Sequence, residues 1–376
     1  MALTTHDVQV RLRDWLEARV EGWHNVKLRP LDVTLGSGFS AEIFFVEVDY
    51  DDAAGPQSRT LVVRRQPTNL EVVLGSSLEL QGRMMAALDR LKLAPVPDWI
   101  GMELDPSVLG NPFLVMGRVE GQSVTQNPNY NSLGWVADMA PSQRGETWKN
   151  AIEAFALLSK IDWQADGFAF LARAEWGKPG LDQYLGHIEA WYRGCRKDRV
   201  MPYVDAAIAF IRNHEPAETA VNVLWGDSTP SNVMFHPDGK VTGLIDWELA
   251  ALGPAELDLA WWLYFDDLFS RRFGVARLEG LPSRDQTIAI WEAAAGRKAQ
   301  HLDYYDVVVA LRMALVAVGA FDRQVGVGNI PPENKSLNAN FMTLYLAERL
   351  GMELPELGPD FYAFMQNMTP VAQKDD

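Results

Sequence analysis

Residues 223–248 read VLWGDSTPSNVMFHPDGKVTGLIDWE, and this stretch decides how the rest of the chain is understood. It places three side chains that suit a hard cation, Asp227, Asn232 and Asp246, in two short turns beside apolar runs. Val221, Val223 and Leu224, and then Val233, Met234 and Phe235, read as short buried strands. Pro237-Asp238-Gly239 is a tight turn leading into a further strand over 241–245. The polar residues are therefore held at strand ends, and a hairpin can bring both carboxylates and the amide to one mouth. Oxygen ligands of this kind suit Mg²⁺, which takes one or two protein carboxylates and leaves its other positions to water and substrate phosphates. Asp and Asn are also ordinary turn residues. It is the set D-x4-N plus IDWE on consecutive hairpin strands that points to chemistry.

The spacing resembles the catalytic and metal loops of protein kinases, in which an Asp precedes an Asn and a second Asp follows on the next strand. GDSTPSN followed by LIDWE is more specifically similar to the aminoglycoside phosphotransferase and choline kinase-like family of small-molecule kinases. That family's usual motif is H-G-D-x-x-x-x-N and then I-D-W or I-D-F, and here Trp225 stands at the His position. The resemblance implies an α+β, protein-kinase-like two-lobed fold. An antiparallel-sheet lobe would cover 1–117 and a mostly helical lobe 118–376. It implies ATP and Mg²⁺ as cofactors, with Asp227 as the catalytic residue that orients the acceptor hydroxyl and takes its proton. Asn232 and Asp246 would hold Mg²⁺ on the ATP phosphates.

The whole-chain properties agree with this class. At 376 residues the chain exceeds the usual size of one core, so two lobes are expected. A net charge of −16 argues against a nucleic-acid partner, because phosphate backbones call for a basic surface. The single cysteine, Cys195, allows no intrachain disulfide and makes a reducing cytoplasm the expected home. It lies in a helix-like segment beside Arg193, Arg196 and Lys197, and reads as an incidental helical residue. The start MALTTHDVQVRLRDW lacks the apolar stretch of a signal peptide. The longest apolar run, 307–321, is interrupted by Arg312 and reads as a buried helix rather than a membrane span.

Taken in order, residues 5–20 carry Val8, Leu12, Trp15 and Leu16 at helical spacing. Strands follow over 33–35, 44–48 and 59–65, with Gly36-Ser37-Gly38 between the first two. A Gly-x-Gly between antiparallel strands can lay backbone N–H groups over phosphates, although a plain hairpin turn uses the same residues. By resemblance the strand LVVRR carries the phosphate-binding cation, usually Lys and here Arg64. Arg64 and Arg65 project to opposite faces, so only one can enter the cleft. Residues 78–91 form a helix in which kinases place a Glu to pair with the strand cation. Here that position holds Gln81, which implies an Arg64–Gln81 hydrogen bond.

Two more strands, 99–104 and 112–119, lead to a hinge. The resemblance assigns adenine recognition to backbone groups at Arg118 and Val119, with Met116 lining the pocket. Residues 122–141 read as an irregular insertion, and helices follow from about Trp148, over 181–191, and at 284–298, 302–322 and 335–351. GPAELDLAWWLYF reads as a helix beginning near Pro254, whose Asp258 is expected to hydrogen-bond the catalytic-loop backbone. Glu248 is assigned an outer or surface role, and His236 reads as a turn residue.

The partner expected for such an enzyme is a small-molecule hydroxyl acceptor. The Arg at the lysine position, Gln81, DPSVLGNPFLVM and LGPAELDLAW are similar to the subgroup of kinase domains fused to some acyl-CoA dehydrogenases, where hydroxyacyl-CoA phosphorylation is known. An aminoglycoside or macrolide acceptor remains open. So do a pseudokinase that binds nucleotide without transferring phosphate, motivated by Trp225 and Gln81, and a metal-dependent phosphohydrolase.

Overall fold

The computed structural model describes residues 4–29, 36–37, 42–66 and 74–362. The N-terminal part is an antiparallel sheet of β1 (His24–Leu28), β2 (Gly36–Ser37), β3 (Glu42–Asp52), β4 (Gly55–Arg65), β5 (Trp99–Glu103) and β6 (Phe113–Gly117). The strand order is β1-β3-β4-β6-β5, with β2 paired to β3. β3 and β4 form one long hairpin, in register from Asp52 opposite Gly55 to Glu42 opposite Arg65.

Period-2 alternation gives this hairpin two faces. Phe44, Val46, Val48, Leu61 and Val63 enter a core that α1 (Thr5–Arg19) closes with Leu12, Trp15 and Leu16. Ile43, Phe45, Val62 and Arg64 face the cleft instead. Helix α2 (Leu78–Leu91) packs on β5 and β6 and is started by Ser77, whose hydroxyl accepts from the Leu80 amide at 3.0 Å. A single short helix, α3 (Pro106–Leu109), joins β5 to β6.

Past β6 the chain leaves the sheet and becomes mostly helical. Its helices are α4 (Trp135–Asp138), α5 (Pro141–Ala156), α6 (Leu181–Arg196), α7 (Pro202–Asn213), α8 (Glu256–Asp267), α9 (Arg284–Ala295), α10 (Leu302–Gly326) and α11 (Phe341–Leu350). Two small ribbons stand among them: β7 (Asn222–Leu224) with β10 (Ala251–Gly253), and β8 (Val233–Phe235) with β9 (Val241–Leu244). Every residue of α8 from Glu256 to Phe265 is buried, as expected of a helix that is apolar nearly all round. The architecture is α+β, an antiparallel-sheet lobe joined to a mostly helical one.

Local expectations fail where polar residues set the boundary. α5 begins at Pro141, well ahead of Trp148, because its first turn is polar with Pro at the helix start. The continuous helix expected over 335–351 is broken into a short turn, Lys335–Leu337, and α11. Asn340 causes the restart: its side chain accepts from the amides of Met342 at 2.9 Å and Thr343 at 3.0 Å. Among the described residues α10 is long and apolar enough to cross a membrane, and 78% of its apolar window is buried inside the protein. The expected strand over 33–35 lies outside the described residues.

Candidate active site

The turn between β7 and β8 carries the first polar pair. Gly226 adopts φ +83°, and a Cβ there would meet the Leu249 carbonyl oxygen at 1.9 Å, so only glycine fits. Asp258, on the first turn of α8, spends one carboxylate oxygen on each of two backbone amides, Trp225 at 2.8 Å and Gly226 at 2.9 Å. Burial pushes the Asp258 carboxyl up to about 6, with the two amides pulling the other way. Arg312, from α10, donates to the Gly226 carbonyl at 2.7 Å and lies 4.3 Å over the Trp261 ring. The turn is therefore fixed from α8 and α10 together.

Asp227 is held at both oxygens. The Trp261 indole N–H donates to Oδ1 at 2.9 Å, and the Asn232 side-chain amide donates to Oδ2 at 2.7 Å. Loss of water around this half-buried carboxyl raises its pKa to about 6. The negative charge of Asp246 adds to the rise, while the Trp261 and Asn232 donors oppose it. A carboxylate poised there is ionised at neutral pH and basic enough to accept a hydroxyl proton.

The donors also suit a cation. Asn232 Nδ2 is committed to Asp227, contacting its carboxylate and its carbonyl at 3.1 Å, and Asn232 Oδ1 takes no hydrogen bond among the described residues. Asp246 adopts φ +60°, a conformation that Asp tolerates better than most residues, and its Oδ1 accepts from Arg64 at 2.8 Å. One amide oxygen and one carboxylate are thus available beside a second carboxylate. Among the described residues no three His, Cys, Asp or Glu side chains converge to hold a metal. The set fits Mg²⁺ that arrives with phosphate oxygens as its remaining ligands.

Trp225, at the position where the resembling family has His, is fully buried, and its indole N–H donates to the Ile245 carbonyl at 2.9 Å. It therefore ties the turn after β7 to the residue before Asp246. An indole supplies the N–H needed for this brace, so the substitution leaves the two turns joined.

A cavity of about 320 Å³ separates the lobes. Ile43, Phe45, Val62 and Met116 wall it from the sheet, and Met234 and Ile245 from the opposite lobe. At the hinge the Gly117 amide donates to Asp98 at 2.8 Å and the Arg118 amide to Thr60 at 3.0 Å. Of the backbone groups expected to meet a base at Arg118 and Val119, the Arg118 amide is therefore already used by the sheet. The Val119 amide has no acceptor among the described residues and remains open to a ligand. The Arg118 guanidinium lies 5.2 Å over the Phe45 ring at the cavity wall. Beyond the hinge, Gln122 and Phe235 exchange two backbone hydrogen bonds of 2.9 Å, close enough that a Cβ on Gly121 would meet the Phe235 oxygen at 2.3 Å.

Arg64 enters this cleft, and Arg65 points to the other face, where it bonds Glu42 and the Leu109 carbonyl. Gln81 also lines the cavity, yet no hydrogen bond joins it to Arg64. The guanidinium is met instead by Asp246 and Glu248, so the expected Arg64–Gln81 bond is corrected, and Glu248 takes an outer place as an ion-pair partner of Arg64. Gly36 and Ser37 pair with Ile43 and Glu42, while Gly38 lies outside the described residues. Sequence reasoning missed Trp261, Arg312 and Phe45. Trp261 had a usable signal: it follows Asp258 by one helical turn and so shares its face.

A model of the phosphotransferase enzyme family matches residues 33–295. The chain belongs to that family. It is 24% identical over 330 residues to an Arabidopsis thaliana protein named "Probable acyl-CoA dehydrogenase", covering 83% of this chain and 38% of that one. It is 22% identical over 298 residues to human acyl-CoA dehydrogenase family member 11, covering 76% of this chain and 36% of the relative. This chain thus spans less than two fifths of these relatives, at 38% and 36% of their lengths.

Among solved structures, a Ralstonia eutropha protein assigned to the aminoglycoside phosphotransferases superposes at TM-score 0.66 and 22% identity, over 91% of this chain and 98% of that one. A macrolide 2'-phosphotransferase of Brachybacterium faecium gives 0.51 at 15% identity, over 89% and 97%. At these identities the likeness shows the fold, the kinase-like one that the sheet, hinge and helical lobe describe.

Proposed function

We propose that the chain transfers the γ-phosphoryl group of ATP, bound with Mg²⁺, to a hydroxyl of a small molecule. The observation that carries this reading is the carboxylate of Asp227, clamped by Trp261 and Asn232 beside Asp246 and across the cleft from Arg64. The apolar cavity and the open Val119 amide supply a place for the base. Asp227 accepts the proton of the acceptor hydroxyl as its oxygen forms the new bond to phosphorus, and ADP leaves with the bridging oxygen. Arg64 offers the phosphates a planar fork of donors. Mg²⁺, held by Asn232 and Asp246, would neutralise phosphate charge. The remaining catalysis is positioning.

For the acceptor we favour a hydroxyacyl-CoA. Support comes from the relatives, which are named for acyl-CoA chemistry and share this region of sequence with the chain. Incubation with Mg-ATP and a panel of hydroxyacyl-CoAs, aminoglycosides and macrolides, read by mass for a phosphorylated product, tests both levels. A product from another class of acceptor overturns the acyl-CoA reading alone. ATP binding without turnover on any acceptor overturns phosphoryl transfer and leaves a nucleotide-binding pseudokinase.

A further inference from the structure

Arg64 is carried by the sheet lobe and meets two carboxylates carried by the other. One terminal nitrogen lies 2.8 Å from Asp246 Oδ1, and the other lies 2.6 Å from Glu248 Oε2. The Arg64 side chain is 7% exposed and that of Glu248 23%, so the contact is largely out of water. Helix α2 presents the neutral Gln81 to the same cavity without bonding the guanidinium. We infer that Glu248 is the positioning residue for Arg64, holding the phosphate-binding guanidinium from the metal-loop side, since the polar residue α2 brings to the cavity, Gln81, is neutral. This rests on the kinase reading of the cleft.

Three physical points support the assignment. A buried guanidinium needs a fixed anion, because an amide cannot offset its desolvation. The two carboxylates contact different terminal nitrogens, so each fixes one edge of a planar group and together they set its plane. On loss of the Asp246 contact, Glu248 still holds the other terminal nitrogen.

The test measures ATP binding by titration calorimetry, with and without Mg²⁺, on the full chain. The proteins are wild type, Glu248→Gln, Arg64→Gln, the double variant, and Gln81→Glu added to Glu248→Gln. Thermal melting checks that each is folded. Glu248→Gln is expected to weaken ATP binding about 10-fold both with and without metal. The Mg²⁺ concentration needed for half-saturation should stay unchanged. In the Arg64→Gln background the same substitution should cost less than about twofold more, since its effect passes through the arginine. Gln81→Glu should recover part of the loss by placing an acid on α2. A Glu248→Gln effect confined to a raised Mg²⁺ requirement, or one that adds in full to Arg64→Gln, overturns the proposal in favour of a metal ligand. Unchanged binding overturns it outright. Wild-type protein that binds no ATP removes the kinase reading and this inference with it, and that result is seen before any substitution is made.

Discussion

The two walls of the cleft are built on different principles. The sheet wall is built by shape: Ile43, Phe45, Val62 and Met116 are apolar strand residues, and any of several side chains would fill their places. The opposite wall is a hydrogen-bonded network in which nearly every member has a named partner. Asp258 fixes the Trp225-Gly226 turn, Trp261 and Asn232 fix Asp227, and Trp225 fixes the Ile245 carbonyl. A wall built on shape tolerates substitution and sets affinity. A wall built on directed bonds tolerates little and sets rate.

This contrast is broken most directly at Asp227. Asp227→Ala should lower turnover about 1,000-fold while ATP affinity stays within about threefold, as expected of a general base that does not hold the nucleotide. Turnover that survives the change would remove the base role. Asp246→Ala comes next: Mg-ATP affinity should fall about 100-fold, and an unaltered metal dependence would argue against its ligand role.

Trp261→Phe keeps the ring and removes only the N–H, so turnover should drop about 10-fold with little change in nucleotide affinity. The pH profile sharpens this test. Asp227 must be ionised to act, its pKa is raised to about 6, and turnover should therefore fall as pH drops through about 6. Trp261 is among the donors that lower that pKa, so its loss should move the acid limb to higher pH. An unmoved limb would assign Trp261 to packing alone. The smallest effect is expected on the sheet wall, where Phe45→Ala should raise the KM for ATP about fivefold with kcat unchanged. A large loss of kcat there would erase the distinction between the walls.

The same distinction explains what the sequence disclosed. That Asp227, Asn232 and Asp246 come together was readable because they sit at close spacing within one short stretch of strands and turns. The lobed α+β fold was readable from strand alternation before residue 117 and helical periodicity after it. Phe45 was not, since an apolar residue on a strand signals the core and the cleft alike. Trp261 and Arg312 sit in apolar runs, LDLAWWLYF and VVVALRMALVAV, whose periodicity reports only burial. Glu248 was assigned away from the centre because its partner, Arg64, lies 184 positions earlier in the chain. Only the folded arrangement reveals such a pairing.

The charge cluster that spans the cleft has a mechanical consequence. Because Arg64 rides on one lobe and Asp246 and Glu248 on the other, the lobes cannot separate without stretching two ion pairs that are poorly screened by salt. Opening the cleft about the short connection over 118–121 therefore has to break both pairs. A single side chain gauges both the width of the gap and the negative charge within it.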